Sequence, residues 1–259
     1  MDGYKPPFTI TNSILSHVAS VSEKVGRITV MSNMENKPHL RKNNRIKSIH
    51  SSLKIEANSL SLSQVRDVIN GKLVFGEAKE IQEVKNAYNA YEKIAEIDPY
   101  SIEELKKFHG IMTKYIVEES GDFRSGEEGV FNGEECIFMA PPARFVPQLM
   151  NELFGWMKKE KDQMHPLILS SVFHYEFVFI HPFTDGNGRM ARLWHTAILA
   201  KWNPIFESGT PHSHYFSDEL GVPIILIDTE QMFALQRDAW YNINVNIVYY
   251  LRKKNYFRR

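Results

Sequence analysis

Cysteine is almost missing from this chain. Cys136 is the sole one among 259 residues, so no internal disulfide can form, and a reducing, cytoplasmic setting fits. An excess of either charge is missing too. Lys+Arg and Asp+Glu stand at 31 each, which removes the usual reason to expect nucleic acid or an anionic membrane as the main partner. The start, "MDGYKPPFTITNSI", has no basic stretch followed by an apolar one, so no secretory signal is expected. No long hydrophobic run exists either. The longest, residues 166–183, is broken by Ser170, Ser171, His174, Glu176 and His181 and reads as a core segment rather than a membrane span. Internal repeats and low-complexity blocks are absent. What remains is an ordinary globular composition, 43% hydrophobic and 24% charged, long enough for one large domain or two small ones.

Most of the chain carries helical periodicity. Residues 77–95 place Ile81, Val84, Tyr88, Tyr91 and Ile94 at three- and four-residue spacing, one apolar stripe. Residues 101–118 open with Ser101 and Glu104, a capping-box pair, and continue with Ile102, Leu105, Phe108 and Met112 on one side. Residues 145–158 repeat the pattern with Val146, Leu149, Leu153 and Trp156. Helices are also expected over 11–33 and, with a more polar face, over 38–58. The fold class is therefore mostly α. One segment breaks the rhythm: "VFNGEECIF", 130–138, carries Asn132-Gly133 between two strand-like runs. Asn-Gly suits a tight hairpin turn, which needs positive φ at both central residues. A hairpin is expected here, ended by Pro141-Pro142. Past residue 200 the chain is rich in Pro, Gly, Ser and His and reads as loop. A helix is expected over 228–243, and the basic, aromatic end reads as a solvated tail.

The chemistry concentrates in "HPFTDGNGRMAR", residues 181–192. Pro182 disfavours a helical His181, so the preceding helix ends there and holds the histidine on a rigid support. Gly186-Asn187-Gly188 can turn tightly and let a ligand approach the backbone. The helix that follows presents unpaired N–H groups and a positive dipole end, an anion site. Arg189 and Arg192 stand three apart on it, and their forks match phosphate oxygens. Asp185 is a hard oxygen ligand suited to Mg²⁺ beside those phosphates. His181, neutral near pH 7, can take a proton from a hydroxyl. A base, a metal ligand, an anion-binding helix start and two clamps describe phosphoryl or nucleotidyl transfer to a hydroxyl. Gly186-x-Gly188-x-x-Ala191 also fits a dinucleotide fingerprint formally, which would make an oxidoreductase. No alternation of strands and helices surrounds it. The Lys-Ser/Thr of a P-loop is missing, and His50, His109, His165, His174, His195, His212 and His214 show no zinc spacing.

The twelve residues resemble the signature of the Fic family, His-Pro-Phe-x-Asp/Glu-Gly-Asn-Gly-Arg-x-x-Arg, with every fixed position present. The likeness extends over roughly residues 1–206, taking in "YKPPF", "GDFR…V" and "PPARFVPQLM". It implies a helical bundle with a small β-hairpin flap. It also implies transfer of AMP from ATP to a Ser, Thr or Tyr hydroxyl of a protein, with release of pyrophosphate. By position, His181 resembles the general base and Asp185 the Mg²⁺ ligand. Gly186, Asn187 and Gly188 resemble the α-phosphate cradle, and Arg189 and Arg192 the clamps on the outer phosphates. The hairpin, with Phe131, Asn132, Gly133 and Ile137, resembles the flap that docks the target by strand addition. Phe183 reads as a core anchor.

"SSLKIEAN", 51–58, resembles the family's inhibitory helix, Ser/Thr-x-x-x-Glu-Gly/Asn, through Ser52 and Glu56. Ala57 departs from that pattern, and Asn58 is expected to end the helix instead. A second departure lies in residues 207–259, which do not follow the family's usual continuation. The organisation expected is thus an N-terminal helical region over 1–98 with the inhibitory-like helix, a Fic core over 99–206 and a divergent segment over 207–259. The expected function is protein adenylylation with ATP as substrate and Mg²⁺ as cofactor, restrained by Glu56. The alternatives are removal of AMP by the same site and a non-catalytic nucleotide-binding regulator. The expected partners are ATP and a hydroxyl-bearing protein; a homo-oligomer is compatible, and neither a membrane nor nucleic acid is called for.

Overall fold

A computed structural model describes residues 4–31, 38–132 and 135–208. Eight helices and one two-stranded sheet run along these residues, in the order α1 (Asn12–Met31), α2 (Pro38–Ile55), α3 (Leu62–Ile69), α4 (Ala78–Glu92), α5 (Ile102–Met112), β1 (Gly129–Asn132), β2 (Glu135–Met139), α6 (Val146–Glu160), α7 (Pro166–Ile180) and α8 (Asn187–Trp202). The architecture is mostly α, as the periodicity predicts. The helix expected over 228–243 lies outside the described residues, as do His212 and His214.

α8 is the axis of the molecule. Its sequence puts Met190, Leu193, Trp194 and Ile198 on one apolar face, but the helix is buried all round, with Arg189, Arg192, His195 and Thr196 buried as well as Leu193 and Trp194. α7 packs along it and contributes Leu169, Val172, Phe173 and Phe177 to the same core. α2 docks onto this core through Ile46, Ile49 and Leu53, each no more than 1% exposed. Burying each such side chain contributes about 1.5–3 kcal/mol, so α2 is anchored by apolar contact whatever its polar residues do. α1 adds Val21 and Val25 to a satellite cluster with Leu167, Leu199 and Phe206.

Several boundaries differ from the sequence reading for local reasons. α2 stops at Ile55, not 58, because the chain turns there in a Schellman motif. The Asn58 N–H donates to the Leu53 carbonyl at 3.1 Å and the Ala57 N–H to the Lys54 carbonyl at 3.1 Å. The left-handed residue is Ala57, at φ 65°, and not Asn58. α5 ends at Met112 rather than 118. Ser101 caps it by accepting from the Glu104 N–H, but its own hydroxyl donates to Glu103, which is half a capping box. The full box belongs to α3, through Ser61 and Gln64.

β1 and β2 pair antiparallel, with Phe131 opposite Cys136 and Asn132 opposite Glu135, and an irregularity between Val130 and Phe131. Asn132 is therefore the last strand residue and not the first centre of the turn. Gly133 lies outside the described residues.

Candidate active site

The segment between α7 and α8 is built by side chains that tie its backbone down. His181 caps α7 in the left-handed region, at φ 50° and ψ 59°, an uncommon state for a residue with a Cβ. Its N–H still donates to the Phe177 carbonyl at 3.0 Å. Phe183 is fully buried and stacks on the His109 ring with centroids 3.7 Å apart. The Asn187 amide closes the loop on itself. Its Nδ2 donates to the Phe183 carbonyl at 2.6 Å, and its Oδ1 accepts from the Phe183 N–H at 3.0 Å. The Asn187 side chain thus shapes the turn, while its backbone N–H stays at the start of α8. Gly186 sits at φ 81°, and a Cβ there would come within 3.0 Å of Thr113 Cγ2, so the position needs glycine twice over.

The sequence reading missed His109 as a structural post. The Gly121 N–H donates to its Nδ1 at 2.9 Å, so the proton sits on Nε2, which donates to the Asp185 carbonyl at 3.0 Å. Burial lowers the pKa of His109 to about 4, and the ring stays neutral in this role. Only its contacts across 76 residues of chain reveal it.

His181 has the properties of a base. Its Nδ1 lies 3.3 Å from the Val178 carbonyl oxygen, which can only accept, so the proton belongs on Nδ1 and Nε2 keeps a lone pair. Burial lowers its pKa, with the Arg124 charge adding to the effect and the Val178 carbonyl, Glu128 and Glu56 opposing it. Near pH 7 the imidazole is therefore neutral.

α8 opens at Asn187, and its first internal bond runs from the Met190 N–H to the Gly186 carbonyl. Helix geometry leaves the N–H groups of Asn187, Gly188 and Arg189 without intrahelical partners, at the positive end of the dipole. The two arginines are held differently. Arg189, 3% exposed, donates to Asp185 Oδ1 at 2.9 Å and lies 3.3 Å from Glu83 Oε1. Arg192 donates through Nε to Ser52 Oγ at 2.8 Å, and through Nη2 to the Ser52 carbonyl at 3.0 Å and to Glu56 Oε1 at 2.5 Å. That carboxylate lies against the helix start: a Cβ on Gly188 would collide with Glu56 Oε1. The turn after α2 thus delivers an anion to the place where the sequence predicts one to bind.

Glu83 is the other residue the sequence reading missed. Its Oε2 accepts from Asn58 Nδ2 at 2.9 Å, while Oε1 faces Arg189, so one carboxylate of α4 steadies both the turn and an arginine. It stands in an amphipathic helix among other glutamates, and nothing in its local pattern sets it apart. Of the residues read as the flap, Phe131 and Asn132 lie on β1 and Ile137 on β2.

A helical bundle that sets an anion-binding helix start, filled here by Glu56, one short loop after a neutral histidine is a scaffold for handling phosphate groups beside a proton acceptor. The comparisons narrow that class. A model of the Fic/DOC family matches residues 99–199. A crystal structure of a Fic family protein from Desulfovibrio desulfuricans G20 superposes with a TM-score of 0.77 at 41% identity, covering 95% of this chain and 70% of that one. The protein adenylyltransferase Fic of Culex quinquefasciatus is 30% identical over 188 residues, 68% of this chain and 36% of that protein. The protein adenylyltransferase Fic of Nematostella vectensis is 31% identical over 167 residues, 59% of this chain and 37% of that protein. The chain belongs to the Fic family. It spans little more than a third of the length of these two curated relatives.

Proposed function

We propose that this protein transfers AMP from Mg-ATP to a Ser, Thr or Tyr hydroxyl of a target protein, and that Glu56 holds it back. The observation that carries the reading is the Glu56 carboxylate lying on the start of α8 and on Arg192. The chain's own anion fills an anion site, and a triphosphate would compete for the same guanidinium. In the released state Arg192 and Arg189 clamp the outer phosphates, and the N–H groups of Gly188 and its neighbours receive the α-phosphate. Mg²⁺ arrives with ATP as part of the substrate. Among the described residues no cluster of three metal-ligating side chains exists, but Asp185 is a half-exposed carboxylate with one oxygen engaged. One carboxylate suits an ion that takes its other ligands from phosphates and water. The target hydroxyl loses its proton to His181 Nε2, its oxygen bonds to the α-phosphorus, and the bond to pyrophosphate breaks. The hairpin docks the target by strand addition. A reducing, cytoplasmic setting fits the single cysteine.

The test is label transfer from α-labelled ATP to proteins of a lysate. Glu56→Gly should transfer, and Glu56→Gly with His181→Ala should bind ATP but transfer roughly 10²–10⁴-fold more slowly. ATP binding without transfer by Glu56→Gly would point to a nucleotide-binding regulator instead. The Glu56 carboxylate opposes the lowering of the His181 pKa, so the two groups are near each other, and this favours a second reading, removal of AMP with Glu56 positioning water. Under that reading a pre-modified target loses its label with the parent protein and keeps it with Glu56→Gly.

A further inference from the structure

Arg124 is 3% exposed and binds backbone alone. Its Nε donates to the His181 carbonyl at 2.7 Å, Nη1 to the Gly126 carbonyl at 2.7 Å, and Nη2 to the Pro141 carbonyl at 2.5 Å, with the Ile180 carbonyl at 3.4 Å. Its own N–H donates to the Pro182 carbonyl at 2.9 Å. No ion pair joins it among the described residues, although the charges of Glu127 and Glu128 reach it. A buried arginine without a carboxylate is costly unless something else balances its charge. Here the balance is the C-terminal end of α7: Ile180 is its last residue and His181 its cap, so their carbonyls form the negative pole of the helix. The other two acceptors lie on the two legs of the hairpin, Gly126 before β1 and Pro141 after β2.

One guanidinium therefore grips the base-bearing end of α7 and both legs of the hairpin. We infer that Arg124 is a positioning residue that fixes the separation between a target strand docked on the hairpin and His181, an inference that rests on the proposed transfer reaction. A planar fork reaches three directions at once, whereas an ammonium on a flexible stem cannot hold the same three at once. A displacement of about 1 Å at a reacting centre costs on the order of 10²-fold in rate.

Two measurements on the full chain test this. The first needs no activity. In Arg124→Lys, hydrogen exchange should quicken roughly tenfold or more at two amides together: Ala140, which donates to the Glu128 carbonyl across the hairpin base, and His181, which donates to the Phe177 carbonyl. Faster exchange at only one of the two, or at neither, overturns the inference. The second is made in the Glu56→Gly background. Arg124→Lys should lower transfer to protein about 10²-fold while ATP affinity stays within about twofold, and methylguanidinium added to Arg124→Ala should restore part of the rate. Transfer at the parental rate by a folded Arg124→Lys protein, or loss of ATP binding in step with transfer, overturns it. If Glu56→Gly transfers nothing, the reaction assigned above is what fails, and the exchange measurement still decides whether Arg124 joins the two parts.

Discussion

Ala57 is an alanine where the backbone is left-handed, at φ 65°. A Cβ in that region costs roughly 1 kcal/mol relative to glycine. The turn that carries Glu56 is therefore held less firmly than it could be. Ala57→Gly should tighten it and lower basal label incorporation about fivefold, the equivalent of that free energy; an unchanged or higher rate would show that the turn does not limit release. His181 makes a second prediction. Its pKa is lowered by burial, so it takes up a proton only below its ordinary value near 6.5. Transfer should be flat from about pH 6.5 to 8 and fall on the acid side below that, as the base is protonated. An acid limb centred above pH 7 would remove His181 from the role. At this scale His181, Asp185, Arg189 and Arg192 stand out in the sequence as candidates, because their chemistry is written in one short stretch. His109, Glu83 and the turn-shaping bonds of the Asn187 amide do not stand out. Those roles exist only as contacts between distant segments or as a turn's own hydrogen bonds, and neither leaves a periodic trace.

Two elements carry the site, the α7–α8 loop and the turn after α2, and each is fixed by something other than its charged residues. The loop depends on Asn187, which both accepts from and donates to Phe183. Asn187→Ala leaves two buried backbone groups unpaired, at about 1–3 kcal/mol each. It should lower the melting temperature and slow transfer, whereas Asn187→Asp, which keeps the acceptor, should retain more of both. Equal stability in all three proteins would contradict the role given to the amide. The α2 turn depends on Ile46, Ile49 and Leu53, so removing the Glu56 carboxylate should leave α2 docked. Helix positions were legible from apolar spacing. Helix ends were not, because Ala57 takes the left-handed cap that its own type argues against. Nor was the depth of α8, which is buried on every side where its sequence suggests one face.

For the molecule as a whole, buried groups shape how stability changes with pH, and His109 and Glu176 pull in opposite directions. His109 has its pKa lowered by burial to about 4. A histidine shifted down favours folding above its unfolded value near 6.5, and that contribution is lost as pH falls from there through about 4. Glu176 is shifted the other way. Burial raises it to about 7 despite the hydrogen bond from Tyr4 at 2.6 Å, and its other oxygen has no partner among the described residues. A carboxyl shifted up favours folding at low pH, and that contribution is lost as pH rises from about 4.5 through about 7. The difference is on the order of 3 kcal/mol. Glu176→Gln should therefore raise the melting temperature at pH 8 and change it little at pH 5; the reverse pattern would mean that Glu176 is ionised and paired in the folded protein.

The central claim is that Glu56 and a nucleotide's outer phosphate compete for Arg192. It is tested most directly by label incorporation from α-labelled ATP into the parent protein, Glu56→Gly, Arg192→Ala and the double variant. Glu56→Gly should raise incorporation by one to two orders of magnitude, roughly the effect of restoring in-line geometry. Adding Arg192→Ala should cancel the gain, so that the two changes are far from additive. Unchanged incorporation by a folded, ATP-binding Glu56→Gly protein, or a gain that survives the loss of Arg192, would contradict the account.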